Sequence, residues 1–422
     1  MISRSGSPVW HPFTQHALQS ITSIARGEGA FLETVSGRRI LDGISSWWVV
    51  THGHRHPRII EAIKRQADTL DQVIFAGFTH EPAETLAEKL IGIAPPGLAH
   101  VFYSDSGSTS VEVALKMALG YWHNTGQLRS RILALEHAYH GDTIGTMSAG
   151  ARGVFNAAYE PLLFDVERLP FPAPGREQDT FDALEAACRT EAVAALIVEP
   201  LILGAGGMLT WPAATLAEMK RICERYEVLL IADEVMTGWG RTGTIFACEQ
   251  AGITPDILCV AKGITGGSLP LAATLCTAPI FDAHYSTDRS RTFYHSSSYT
   301  ANPIACAAAV ANIEIWENEP VQARVAQLTA MQTERLETLR RDDRFTSVRQ
   351  CGTIAAVDLS CEDPGYLASI GLRLYDFFLE RDVLLRPLGS TIYVLPPYCV
   401  TASDLDRVFD VILEAASAVG EP

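Results

Sequence analysis

The sequence predicts an α/β protein, with a mainly parallel central sheet in a large domain and a second, smaller α+β domain. Three observations carry that prediction. Four apolar runs of strand length recur through the middle of the chain: 131–135 (RILAL), 193–198 (VAALIV), 228–232 (VLLIA) and 257–261 (ILCVA). Stretches of helical apolar spacing lie between them, and apolar strands alternating with helices belong to a sheet covered on both faces. After about residue 320 the pattern changes to short strands and isolated helices, which marks the second unit.

In chain order, the first fifty or so residues read as short strands with a turn at Gly37-Arg38-Arg39. Helical spacing follows at 58–71, 81–93 and 110–122, the last just after an apolar strand at Val101-Phe102-Tyr103 and the turn 104–108 (SDSGS). A helix opened by Pro212 runs to about Tyr226, because proline suits a first helical turn. Helices at 302–318 and 320–341 come next. The last part holds a strand at 353–359, a helix at 365–381, short strands around Leu384 and Ile392-Tyr393-Val394, and a terminal helix at 403–418. The expected division is an N-terminal segment, 1–55, contributing to the small domain, a large domain over 56–320, and a small domain over 321–422.

Composition narrows the function. A net charge of −16 argues against a nucleic-acid backbone or an anionic membrane as partner, since both need a basic surface. Nine cysteines stand singly from Cys188 to Cys399 without a CxxC pair, which fits reduced thiols in a cytoplasm better than a disulfide framework. The start, Met1-Ile2-Ser3-Arg4, has no apolar run of the signal-peptide kind, and no stretch reaches membrane-spanning length.

In an open parallel sheet, ligands bind beyond the carboxyl ends of the strands. There the chain places 136–142 (EHAYHGD), Glu199-Pro200, Asp233-Glu234-Val235 and Lys262-Gly263. A lysine ending an apolar strand is disfavoured unless it is paired or modified. Asp233 and Lys262 therefore allow two readings: a buried structural ion pair, or a pyridoxal-phosphate site. In the second, Lys262 carries the cofactor as an imine and Asp233 keeps its ring nitrogen protonated. A carboxylate about 4 Å from that nitrogen contributes on the order of 4 kcal/mol at an effective dielectric of 20, or roughly 3 pKa units. Ser106-Gly107-Ser108, before the helix at 110–122, offers free N–H groups and a close backbone approach for a phosphate at Gly107 and Ser108. Tyr139 suits a stacking partner for the ring, and Val235, on the face of Asp233, suits its other side.

The run 229–243 (LLIADEVMTGWGRTG), followed 29 residues after Asp233 by Lys262-Gly263, resembles the class III aminotransferases. The likeness extends over roughly residues 10–400. It implies the aspartate aminotransferase-type fold of fold-type-I pyridoxal-phosphate enzymes, a homodimer with shared sites, and transamination. Finer features are Trp10-His11-Pro12-Phe13-Thr14, Ser45-Ser46-Trp47-Trp48, Tyr139-His140-Gly141-Asp142, and Arg386-Pro387 followed by Tyr393 and Pro396-Pro397-Tyr398. They are similar to the branch that moves an amino group from S-adenosylmethionine to 8-amino-7-oxononanoate in biotin biosynthesis. That resemblance implies that Trp47 lines the substrate pocket, that Arg386 pairs with a substrate carboxylate, that Arg241 sits close to the site, and that Tyr139 shapes the donor site. A planar guanidinium suits a carboxylate because it donates two parallel hydrogen bonds.

Two positions depart from the pattern. Phe13 stands where the branch carries tyrosine, which leaves the donor open between S-adenosylmethionine and lysine. Ser298, in 296–300 (SSSYT), stands where a threonine reaches the phosphate of the neighbouring subunit, and it keeps the hydroxyl. Three rivals remain: a general ω-amino acid or diamine aminotransferase using pyruvate or 2-oxoglutarate, a racemase or aminomutase on the same cofactor residues, and a non-enzymatic relative. His52, His54 and His56 alternate, yet no acidic or cysteine ligand is near in sequence, so no metal is expected there. Glu199 reads as either a cofactor neighbour or a structural hydrogen-bond partner, and Glu234 as a structural partner.

Overall fold

The computed structural model describes residues 8–418 and divides the chain into two compact units. The stretch Met1-Ile2-Ser3-Arg4, read for a leader, lies outside the described residues.

The large unit takes Pro57–Thr329 and Gln350–Ile354. Its seven-stranded sheet runs, in spatial order, Leu98–Ser104, Ala272–Thr277, Ile257–Val260, Leu229–Asp233, Val193–Val198, Arg131–Leu135 and Glu167–Leu169. The five strands from Ile257–Val260 to Glu167–Leu169 pair in parallel. Ala272–Thr277 is antiparallel to both of its neighbours. Side chains of successive residues go to opposite faces, and each face has its own core. Leu133, Leu135, Leu230, Ala232, Leu258 and Val260 join one apolar cluster, while Ile132, Ala134, Leu229, Ile231, Ile257 and Cys259 join another. That double burial is why these strands read as unbroken apolar runs instead of alternating ones. Ala272–Thr277 (AATLCT) escaped the sequence reading because four of its six residues are alanine or threonine, too weakly apolar to form such a run.

Helix Gly107–Asn124 begins at Ser106, whose hydroxyl accepts the N–H of Thr109 while Thr109 Oγ1 accepts the N–H of Ser106. Helix Pro303–Asn318 has Pro303 in its first turn, and Asn302 Oδ1 accepts the N–H groups of Ile304 and Ala305.

The small unit takes the described residues up to His56, with Ala330–Arg349 and Ala355 onward. Ile24–Glu28, Phe31–Thr34, Arg39–Asp42 and Val383–Leu384 form one sheet, and Phe345–Cys351, Ile354–Leu359 and Thr391–Val394 another. Helices Ser369–Glu380 and Ala402–Ala418 complete it. The helix expected over 365–381 starts only at Ser369. Pro364 and Gly365 make a turn before it, with Pro364 O accepting Ser390 N–H and Gly365 O accepting Ala368 N–H. The division expected at 320 falls at Thr329/Ala330, inside the unbroken helix Val321–Leu339. No proline or glycine marks that point, so the sequence carries no punctuation for it. Among the described residues, no helix is long and apolar enough to cross a membrane.

Candidate active site

The strand ends of the large unit gather the groups the sequence singled out. Asp233 closes its strand and is buried, with Oδ1 accepting the N–H of Val235 at 3.1 Å. Its Oδ2 lies 2.7 Å from Nδ1 of His140, also buried. The other ring nitrogen of His140, Nε2, is buried without a hydrogen-bond partner among the described residues. Glu199, one residue past Val193–Val198, accepts the N–H of Tyr139 at 2.9 Å and that of Gly204 at 2.9 Å. Burial pushes its carboxyl up to about 7, against a lowering by His140. Glu199 thus ties down the backbone that carries Tyr139, and Asp233 acts on it electrostatically.

Lys262 follows Ile257–Val260 at a left-handed φ of 45°. It opens a short 3₁₀ turn, Lys262–Thr265, closed by Gly266 in the left-handed region. Gly263 is required by close packing, because a Cβ there would come within 2.8 Å of the Trp239 side chain. Asn312, fully buried on Pro303–Asn318, donates from Nδ2 to Gly263 O at 3.0 Å and Ile264 O at 3.1 Å. Burial pulls the Lys262 amine below the usual lysine range; Asp233, Glu199 and Asp142 push it up, and the buried Arg241 lowers it further.

Opposite chemistry marks the helix Gly107–Asn124. Its first-turn N–H groups lack intrahelical partners, as at any helix start. Gly107 lies so close to Val235 that a Cβ would come within 2.6 Å of Val235 Cγ1. Gly141, at φ 133°, is pressed equally against Ser108, whose Oγ accepts the N–H of Asp142 at 3.2 Å. Tyr139 borders a cleft of about 190 Å³ with Asp142, Arg152 and Phe155, and its ring stands edge-on to Phe155 at 6.3 Å. Burial raises its phenol well above the ordinary range, and Asp142 adds to the effect. These groups fit a flat aromatic aldehyde carrying a phosphate. A buried carboxylate is available for a ring nitrogen, a helix start with no bulky side chain for the phosphate, and an amine of lowered basicity for the aldehyde.

Ser298 is exposed, and its carbonyl accepts from Gln72 Nε2 at 2.7 Å. In the small unit, Arg386 donates from Nη2 to Phe13 O at 2.6 Å, and its guanidinium lies 5.0 Å from the Trp47 ring. Phe13 meets Trp47 edge to face at 5.4 Å, so three residues set apart by sequence cluster here. The alternating histidines do not form a strand. Gly53 turns the backbone at φ 98°, His54 Nε2 pairs with Asp42 Oδ2 at 2.9 Å, and His52 packs on His56 and Tyr398. Glu234 is a structural partner, accepting from Ala247 N, Cys248 N and Thr237 Oγ1. Sequence reasoning gave no role to His140, Asn312 or Asp42. His140 lay in a motif already quoted, and Asn312 is a polar residue in an alanine-rich helix, but Asp42 gave no signal.

A family model described as aminotransferase class-III matches residues 13–416. The adenosylmethionine-8-amino-7-oxononanoate aminotransferase of Synechococcus elongatus is 49% identical over 96% of this chain and 97% of its own. Among solved structures, the enzyme of the same name from Methanocaldococcus jannaschii superposes with a TM-score of 0.94 at 34% identity, covering 98% of both chains. An amine transaminase from an uncultivated Pseudomonas species, solved in its PLP-bound form, superposes with a TM-score of 0.93 at 34% identity over 99% of this chain and 100% of that one. A lysine and an aspartate at neighbouring strand ends, a glycine-serine helix start, and a match along nearly the whole length have one common explanation: the chain belongs to the class III aminotransferases and is a pyridoxal-phosphate-dependent enzyme.

Proposed function

We propose that the protein transfers the amino group of S-adenosylmethionine to 8-amino-7-oxononanoate, forming 7,8-diaminononanoate in biotin biosynthesis. The observation that carries this reading is the cluster of Phe13, Trp47 and Arg386, which sets a guanidinium beside a broad apolar surface. That pairing suits a substrate with a long aliphatic chain ending in a carboxylate. The full-length likeness to relatives of that name supports it.

Bound pyridoxal phosphate supplies an electron sink that acidifies the carbon bearing the amine. Lys262 would hold the cofactor, and its Nζ would remove and return the proton at that carbon. Burial lowers the basicity of Lys262, which favours the uncharged amine that this role needs. Asp233 holds the proton at the ring nitrogen, and His140 fixes the orientation of that carboxylate. Tyr139 and Val235 bind the two faces of the ring. Gly107 and Ser108 bind the phosphate, as does Ser298 contributed by the second subunit of a homodimer. Arg241 lies close to the reacting groups, Trp47 lines the substrate pocket, and Arg386 binds the substrate carboxylate. A cytoplasmic setting belongs to the same reading, supported by the scattered cysteines.

The test is a half-reaction. Cofactor-loaded protein is mixed separately with S-adenosylmethionine, lysine, alanine and β-alanine, and the absorbance change to the amine form of the cofactor is followed. Conversion by S-adenosylmethionine, reversed by 8-amino-7-oxononanoate, is the expected result. Conversion by lysine with the same reversal replaces the donor, the alternative that Phe13 leaves open. A response to alanine or β-alanine alone replaces the reading by a general ω-aminotransferase, which the similar superposition on an amine transaminase favours as the second reading. Gel filtration with activity across the peak tests the shared site, and an active monomer would overturn the role of Ser298.

A further inference from the structure

The backbone that carries Trp47 has an unusual conformation. Ser45, Ser46, Trp47 and Trp48 have φ angles of 53°, 46°, 68° and 75°, a turn of left-handed helix without a glycine. Trp48 N–H reaches Ile44 O at 2.8 Å and Val49 N–H reaches Ser45 O at 3.0 Å. A left-handed turn presses each Cβ towards the following carbonyl, so its own hydrogen bonds do not explain why it persists. The surroundings must over-determine it.

Asp42 does so. It ends the strand Arg39–Asp42 and is fully buried. Its Oδ1 accepts the N–H of Ser46 at 2.9 Å and that of Ile44 at 3.3 Å. Its Oδ2 accepts the Ser46 hydroxyl at 2.8 Å and pairs with His54 Nε2 at 2.9 Å. One carboxylate thus meets four donors, two of them from the turn itself and a third from Ile44 just before it. The far side is anchored by Ser45 Oγ donating to Leu395 O at 2.8 Å and by Trp48 standing edge-on to Tyr393 at 5.9 Å. Trp47 is the member of the turn left facing outward, beside Phe13 and Arg386.

We infer that Asp42 is a positioning residue for substrate selection: its carboxylate holds the left-handed turn and so aims Trp47, while His54 fixes the carboxylate from the other side. This rests on the reading of Trp47 as a wall of the substrate pocket. An asparagine at 42 keeps one acceptor oxygen in place of two, and its amide nitrogen would face donors. The turn then relaxes and Trp47 leaves its place, which weakens substrate binding more than it slows chemistry.

The experiment measures KM and kcat for 8-amino-7-oxononanoate in Asp42→Asn, in Trp47→Ala and in the double variant. Each single change is expected to raise KM roughly tenfold with a much smaller loss of kcat. The double variant is expected to be no worse than Trp47→Ala, because both act through one side chain. Additive losses would overturn the inference. Adding Ser46→Gly to Asp42→Asn is expected to lower KM again, since glycine takes a positive φ without a Cβ penalty; no recovery counts against it. If Trp47→Ala leaves KM unchanged, the pocket reading of Trp47 fails on its own. The role of Asp42 is then decided by a crystal structure of Asp42→Asn, where four φ angles still positive at 45–48 would refute it. Should Asp42→Asn not fold, His54→Gln takes its place with a smaller rise in KM, and an unchanged KM refutes the outer contact.

Discussion

Each unit presents a functional side chain from left-handed backbone, and the two turns are secured in different ways. In the large unit's turn the functional residue itself, Lys262, takes the positive φ. It stands between a fully buried strand and Gly263, and the neutral amide of Asn312 holds the turn through two carbonyls. In the small unit four successive residues take positive φ, and a buried carboxylate with a histidine behind it holds them. Left-handed conformation costs roughly 1–2 kcal/mol per residue. One such residue is offset by ordinary hydrogen bonds, whereas the four in a row are met by several bonds converging on one carboxyl group. The Lys262 turn is held by an amide donor, and the Trp47 turn by a carboxyl acceptor.

The largest effect that tests this contrast lies at the chemistry. Lys262→Ala is expected to lower kcat by about 10⁴-fold or more with the fold intact, measured by steady-state turnover and circular dichroism. A loss comparable to that of Trp47→Ala would mean that the two turns do not divide chemistry from binding. Next comes Asp233→Asn. Losing a carboxylate worth about 4 kcal/mol at the ring nitrogen corresponds to roughly 10³-fold in kcat. A drop of less than about tenfold in turnover would remove Asp233 from its role.

Smaller effects address the supports. Asn312→Leu removes a donor from Ile264 O and one of the two donors of Gly263 O, and is expected to destabilise the protein by about 2 kcal/mol in urea denaturation. If Lys262 were held by its strand alone, stability would hardly change. The smallest effect concerns Glu234, the large unit's counterpart to Asp42 as a buried carboxylate that ties a loop. Burial raises its carboxyl from 4.5 to about 7, partly opposed by the N–H groups of Ala247 and Cys248. Between those pH values the folded chain keeps a proton that the unfolded chain has released. Stability therefore falls as pH rises through that window. Glu234→Gln is expected to flatten this dependence in thermal denaturation from pH 5 to 8, and an unchanged slope would show that Glu234 stays ionised.

Much of the large unit was legible because its strands are buried on both faces, so runs such as 193–198 and 229–233 leave an unbroken apolar signal. The polar residues at their ends then stand out by contrast, which is how Asp233 and Lys262 were found. Asn312 and His140 were not found, because each works through a partner distant in sequence: 49 positions separate Asn312 from Gly263, and 93 separate His140 from Asp233. The antiparallel strand Ala272–Thr277 was missed for a different reason, since its place between two strands supplies the burial that its own residues do not advertise.

By itself the sequence determined the alternation of strand and helix, the residues at the strand ends, the close backbone approach at Gly107, and the family. Those are local properties, set by apolar periodicity and by what a missing Cβ permits. Only the tertiary structure decided that Thr329 ends one unit inside a continuous helix, that the histidines at 52–56 form a turn with Asp42 as the partner of His54, and that Ser45–Trp48 winds left-handed. The physical reason is the same in each case. Each outcome depends on packing and hydrogen bonds that exist only once distant parts of the chain have met.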